Sequence, residues 1–274
     1  MERIRQSGKT IAFVPTMGYL HEGHISLMER GRMLAEILVA SILVNPTQFG
    51  PGEDLSIYPR DIERDTALSE KAGVDFIFSP TAEELYPEGF ETYISQEKLP
   101  EHLCGLSRPG HFRGVMTVVA KLFNIVKPHY AVFGEKDYQQ LAVIRRMTRD
   151  LNFDTGIIGA PAVREPDGLA MSSRNSFLSP AQRESATALY RSLTDAREQV
   201  ARGETDAIKI IEACTAAINT EKETDVEYIR ICDPDNLEDL AVIDRPSVMA
   251  MAVRVGKTRL IDNVMLFPPG SGPG

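Results

Sequence analysis

The stretch VPTMGYLHEGHISLM (residues 14–28) decides how this chain is read. An apolar run, Ile11–Val14, meets Pro15 and then Gly18, and two of the chain's five histidines, His21 and His24, follow three residues apart. Pro15-Thr16-Met17-Gly18 predicts a strand that breaks into a turn whose backbone amides approach a ligand. Histidines at i and i+3 on the helix that follows lie on one side of it. Unpaired N–H groups and the macrodipole make a helix start favourable for anions. Imidazoles placed there donate to phosphate oxygens, strongly so when charged. The plainer alternative is that one histidine caps the helix and the other is a surface residue. A metalloprotease-type zinc site needs HExxH at spacing four, which H-E-G-H does not supply.

Outward from this turn, short β-branched runs alternate with helical patterns. Strands are predicted at 10–15, 36–44, 74–80, 129–134 and 153–161, and helices at 22–35, 60–73, 114–127 and 137–151. Near-continuous apolar strands separated by helices imply an α/β fold, a Rossmann-like doubly wound parallel sheet, with sites at the carboxyl ends of its strands. After about residue 175 the rhythm changes. SPAQ (179–182) offers a serine cap, a proline at the first helical position and a glutamine three beyond the cap. Helices at 180–201 and 205–219 precede strands at 225–232, 247–255 and 258–266, the last two joined by a tight Gly-Lys connection. The reading is a Rossmann-like domain over 1–162, a smaller C-terminal α+β domain over 163–267, and a flexible tail, PPGSGPG, over 268–274.

Composition narrows the function. With 274 residues and 43% hydrophobic content the chain can bury a sizeable core, and a net charge of −9 argues against nucleic acid or anionic lipid as a partner. No apolar run approaches the ~18 residues of a membrane span. MERIRQSGKT lacks the apolar segment of a secretion signal. The three cysteines, Cys104, Cys214 and Cys232, are odd in number and never form CxxC, which suits a reducing, cytoplasmic setting.

Other segments carry chemistry when set beside the turn. Lys136 in GEKDYQQ lies between a strand end and a helix start, where an ammonium can neutralise phosphate. Asp137 and Gln140 also read as a D-x-x-Q capping box. Gln48 in NPTQFG follows an apolar strand; its carboxamide can both donate and accept. AMSSRN (170–175) puts two hydroxyls and an arginine in one small-residue turn, either an interdomain linker or a loop closing over a triphosphate. Arg108, His111 and Arg113 in RPGHFRGV form a basic patch before a helix. The patch reads as a solvated loop whose arginines could help hold a carboxylate. The acidic runs EDL and DIERD read as helix caps and faces.

VPTMGYLHEGH resembles the HIGH-type signature of the nucleotidyltransferase superfamily, and in its longer form the pantothenate synthetase (pantoate–β-alanine ligase) family. NPTQFGPGEDLSIYPR (45–60), RPGHFRGV (108–115), VFGEKDYQQL (132–141) and REPDGLAMSSRNSFLSP (164–180) match that family in the same order, across about residues 8 to 267. Members usually carry a strand and most of a helix ahead of GKTIAFVPT, whereas only MERIRQS stands there, so an edge strand and its helix are expected to be truncated. The resemblance implies a cytoplasmic homodimer in which ATP and pantoate form pantoyl adenylate, and β-alanine then displaces AMP. It places Met17, Gly18, Tyr19, Leu20, His21, Glu22, Gly23 and His24 at ATP, together with Gly134, Glu135, Lys136, Asp137, Val163, Met171, Ser172, Ser173 and Arg174. His24 takes a proton-donor role, with His21 and Lys136 beside it in catalysis. Gln48 is placed at pantoate and β-alanine, and Gln140 at pantoate. Mg2+ is expected with ATP, held mainly by phosphates and waters with no protein ligand named. Rival readings are another HIGH-type adenylyltransferase, a class I aminoacyl-tRNA synthetase, and a nucleotide-binding module without activity.

Overall fold

A computed structural model describes residues 1–272. The chain divides into two compact units: residues 1–100, 105–135 and 140–163 form the first, and 101–104, 136–139 and the remainder from Arg164 form the second.

The elements come in the order α1 (Glu2–Gln6), β1 (Ile11–Thr16), α2 (Glu22–Leu34), β2 (Ile37–Ile42), α3 (Ile62–Lys71), β3 (Phe76–Phe78), α4 (Ala82–Leu85), α5 (Leu103–Ser107), α6 (His111–Val126), β4 (Tyr130–Gly134), α7 (Tyr138–Asp150), β5 (Gly156–Ala160), α8 (Pro180–Ala201), α9 (Ala207–Asn219), β6 (Thr224–Cys232), β7 (Ser247–Val255) and β8 (Thr258–Leu266).

In the first unit the strands form one parallel sheet in the order β3-β2-β1-β4-β5. β1 lies at its centre, with Ile11–Val14 fully buried. A strand covered on both faces cannot alternate apolar with polar, which is why β1 and β2 read as continuous apolar runs. Ala12, Val14, Leu38, Ala40 and Val132 from the sheet pack with Leu20, Leu27 and Met28. The sheet edges are β3 and β5, and Phe76 on β3 is exposed. Ahead of β1 the chain forms α1, where Arg5 pairs with Asp154 and Lys127 with Glu2.

The second unit contains the antiparallel sheet β6-β7-β8, and β7 and β8 are joined through Gly256 and Lys257. α8 opens with the expected box: the Gln182 N–H donates to Ser179 Oγ at 3.3 Å, and the Ser179 N–H donates to Gln182 Oε1 at 3.0 Å. Leu189, Leu193, Ile210, Ile218, Met249, Met251 and Val253 are among its core residues. Of the tail, Pro268 and Ser271 close a turn, the Ser271 N–H donating to Pro268 O at 3.0 Å, and residues 273–274 lie outside the described residues.

Candidate active site

β1 ends at Thr16, and the next residues depart from the expected anion-binding loop. Gly18 takes a left-handed backbone, and so does Tyr19, at φ 80 and 50. Successive left-handed residues turn their N–H groups to one side and make a concavity suited to an anion. Here the anion is part of the chain. Asp65 on α3 is buried, and its carboxylate accepts the Tyr19 N–H at 2.6 Å and the Leu20 N–H at 2.7 Å. A side chain on Gly18 would meet Asp65 Oδ2 at 2.9 Å, so only glycine admits this brace. The Gly18 N–H donates to Thr16 Oγ1, whose hydroxyl in turn donates to Ser41 O.

The histidines complete the set. His21 is the N-cap of α2, and its Nδ1 accepts the Gly23 N–H at 3.2 Å; His24 Nδ1 accepts the His21 N–H at 3.2 Å. This is a capping box built from two imidazoles, their ring centroids 4.1 Å apart. One expectation is corrected here. The loop amides of Gly18, Tyr19, Leu20, His21 and Gly23 already have partners inside the protein, so side chains carry the polar chemistry of this turn. Each Nδ1 accepts a backbone N–H, which leaves Nε2 as the nitrogen of each ring that can donate. Capping and donation coexist, because they use different nitrogens.

Beyond β2, Asn45 is buried and organises the next turn. Its Nδ2 donates to Gln48 Oε1 at 3.0 Å and to Gly114 O at 3.3 Å, while its Oδ1 accepts from Thr47 Oγ1 and the Tyr86 hydroxyl at 2.9 and 2.8 Å. Gln48 is buried, and its Nε2 donates to Met17 Sδ at 3.1 Å, which ties this turn to the histidine turn. Gly114 on α6 faces the same backbone: a Cβ there would stand 2.2 Å from Thr47 O.

The RPGHFRGV segment is not a solvated loop. α6 starts at His111, earlier than predicted, because Gly110 turns the chain as a left-handed N-cap. Arg108 donates to both oxygens of Glu53, at 2.7 and 2.8 Å, so its carboxylate partner is internal. Burial alone would raise the Glu53 carboxyl, but hydrogen bonds and charge from Arg108 outweigh it and hold the group below the usual range. Arg113 stacks over the Tyr93 ring at 4.3 Å.

Of the remaining predicted residues, Gly134 is the last residue of β4 and Glu135 follows it. Gln140 lies on the first turns of α7, half-buried, and Val163 closes the first unit. Lys136 and Asp137, read from sequence as part of the first domain, group with the second unit: Asn263 Nδ2 donates to Lys136 O at 2.8 Å and the Tyr138 hydroxyl to Pro234 O at 3.2 Å. The Lys136 ammonium faces the Asp137 carboxylate at 3.8 Å, on a 3-10 turn that leads into α7.

The 170–175 segment also belongs to the second unit. Ser172 caps a 3-10 turn, Ser173–Phe177, by accepting the Arg174 N–H. Asn175 Nδ2 donates to Glu165 Oε1 at 2.8 Å, and Arg183 bridges Glu165 and Asp167 at 2.6 and 2.8 Å. Hydrogen bonding to Arg183 holds Glu165 below the usual carboxylate range. Arg164 makes two bonds to buried Asp262 on β8, at 2.6 and 3.0 Å, anchoring the base of the segment.

Sequence reasoning missed Asp65, Asn45, Tyr86 and the Glu53–Arg108–His111 chain. Asp65 lay in DIERD, where its spacing from Asp61 gave no sign that one carboxylate caps α3 while the other points inward. Asn45 had a usable signal, an amide directly after a fully apolar strand.

A parallel sheet with its first strand central, ending in a histidine-capped turn, agrees with the HIGH-type nucleotidyltransferase class that the sequence resembles. Known proteins resolve the class further. The pantoate-beta-alanine ligase family model matches residues 1–265. A pantothenate synthetase of Desulfatibacillum aliphaticivorans is 60% identical over 267 residues, 97% of this chain and 95% of that one. Another, of Thermotoga petrophila, is 56% identical over 265 residues, with the same coverage of 97% and 95%. Among solved structures, pantothenate synthetase from Thermus thermophilus superposes with a TM-score of 0.92 at 49% identity, covering 94% of both chains. The Francisella tularensis ligase, complexed with beta-gamma ATP and beta-alanine, gives 0.79 at 34% identity, covering 96% of this chain and 93% of that one. This chain belongs to the pantoate–β-alanine ligase family.

Proposed function

We propose that this chain condenses pantoate with β-alanine, using ATP, through a pantoyl-adenylate intermediate, and releases pyrophosphate and AMP as it makes pantothenate. The observation that carries this reading is the reciprocal histidine cap at the carboxyl end of β1, in a chain whose residues 1–265 match the ligase family.

In the first half-reaction a pantoate carboxylate oxygen attacks the α-phosphorus in line, and the bond to pyrophosphate breaks. Charge spreads over phosphate oxygens, so the protein contributes positioning and electrostatic stabilisation. On the first unit, Nε2–H of His21 and His24 donates to those oxygens, and His24 holds the proton-donor role. Met17–His24, Gly134, Glu135 and Val163 line the nucleotide there. On the second unit, Lys136, Asp137 and Met171–Arg174 are assigned to the nucleotide. Gln48 and Gln140 hold pantoate. The Met17 sulfur is a weak acceptor that a substrate oxygen readily replaces at Gln48 Nε2. In the second half-reaction the neutral amine of β-alanine attacks the acyl carbon, the bond to AMP breaks, and the amine gives up its proton.

Among the described residues no group of three or more His, Cys, Asp or Glu side chains could hold a metal ion. Mg2+ enters this reading as part of the nucleotide substrate, carried by its phosphates and waters. We place the enzyme in the cytoplasm as a homodimer. The three cysteines are buried and outside any disulfide, which suits a reducing compartment, and light scattering of the purified protein tests the dimer.

The deciding assay follows pyrophosphate and AMP. Pyrophosphate release that requires pantoate, and AMP release that requires β-alanine as well, support the reading. Release driven by nicotinamide mononucleotide or phosphopantetheine instead would replace it with another adenylyltransferase.

A further inference from the structure

The proposed reaction leaves RPGHFRGV without a task, although the structure builds that segment tightly. We infer that His111, held by Arg108 and Glu53, is a positioning residue that sets Gln48 for pantoate. The inference rests on the reading that Gln48 faces pantoate.

His111 Nδ1 lies 2.8 Å from the Gln48 carbonyl oxygen, and His111 Nε2 lies 3.0 Å from Arg108 Nη1. A carbonyl only accepts and a guanidinium only donates, so the ring carries its proton on Nδ1 and accepts on Nε2. Arg108 is itself fixed by its two bonds to Glu53. The loop from Gln48 to Glu53 is therefore stapled at both ends to the start of α6. One end is held by a ring N–H on a backbone carbonyl, the other by a paired carboxylate. From the other side Asn45 links the Gln48 carboxamide to the Gly114 carbonyl, also on α6. Backbone and side chain of Gln48 are thus referenced to the same helix. A displacement of about 1 Å in a substrate-holding group costs up to about 10²-fold in rate, so such referencing carries weight.

Histidine-to-asparagine and histidine-to-glutamine replacements separate the two ring nitrogens. Asparagine puts an N–H near the Nδ1 position, whereas glutamine reaches only the Nε2 position. The experiment compares His111→Asn, His111→Gln, His111→Ala and Gln48→Ala in pantoate-dependent pyrophosphate release. We expect KM for pantoate to rise about tenfold in the Gln and Ala variants, as loss of a charge-supported hydrogen bond implies, with KM for ATP nearly constant. His111→Asn should recover most of the loss, and adding Gln48→Ala to His111→Ala should cost little more. Histidine 15N spectra of the wild type should show the Nδ1–H tautomer for His111. If Asn and Gln perform alike, if KM for pantoate stays at the wild-type value in both His111→Gln and His111→Ala, or if the tautomer is Nε2–H, the inference is overturned. Should His111→Ala fail to fold, the Asn–Gln comparison and the spectrum decide. A Gln48→Ala variant with unchanged pantoate KM would instead strike the reading of Gln48, which keeps the two failures apart.

Discussion

At the level of single side chains, the histidine turn separates folding from chemistry by nitrogen. Nδ1 of His24 serves the backbone, which leaves Nε2 for the donor role that the proposed reaction gives it. An asparagine oxygen can stand where Nδ1 stands but nothing of it reaches Nε2. His24→Asn is therefore expected to keep its melting temperature near that of the wild type while turnover falls about 10²–10³-fold. His24→Ala should lose both, the missing cap contact costing about 1 kcal/mol in urea unfolding. Asp65→Asn tests the neighbouring brace. One of its two acceptor oxygens becomes a donor facing a backbone N–H, so unfolding free energy should drop by about 1–3 kcal/mol. A denaturant midpoint unchanged from wild type would show that the carboxylate does not hold the turn.

At the level of strands and helices, the longer elements were legible because each face had one period and one fate. β1 and β2 read as apolar runs, α8 by its capping box and the β7–β8 hairpin by its Gly-Lys joint. What the pattern could not show was the partner of each polar group, because hydrogen bonds such as Asp65 to Tyr19 join residues far apart in the chain. The same limit hid α6 as a platform. Gly114 looked like one more small residue, yet a methyl on it would sit 2.2 Å from the Thr47 carbonyl oxygen. Gly114→Ala should destabilise the protein by about 1–3 kcal/mol and raise KM for pantoate, read by thermal unfolding and steady-state kinetics together. The Ser173–Phe177 turn carries a pH dependence. Glu165 is held below its ordinary value of 4.5 by Arg183. Its contribution is full above that value and is lost as pH falls through the lower folded value. Protection factors of amides 172–178, each referenced to the intrinsic exchange rate at that pH, should fall on acidification through this window, and Arg183→Gln should flatten the change.

Across the chain as a whole, Cys104, Cys214 and Cys232 all belong to the second unit, and all are buried. Burial pushes the Cys214 thiol up to about 11. A thiol reagent at neutral pH should leave the native protein unlabelled and count three sulfhydryls once the second unit unfolds; labelling of the native chain would contradict the packing. The braced turn has a last consequence, for inhibitors. Asp65 behaves as an intramolecular ligand for the amides of Tyr19 and Leu20, present at a high effective concentration. Compounds designed to exploit those amides with a sulfonate or carboxylate head would have to displace it, and should gain little affinity. Neutral acceptors aimed at the imidazole Nε2–H groups avoid that contest with the carboxylate.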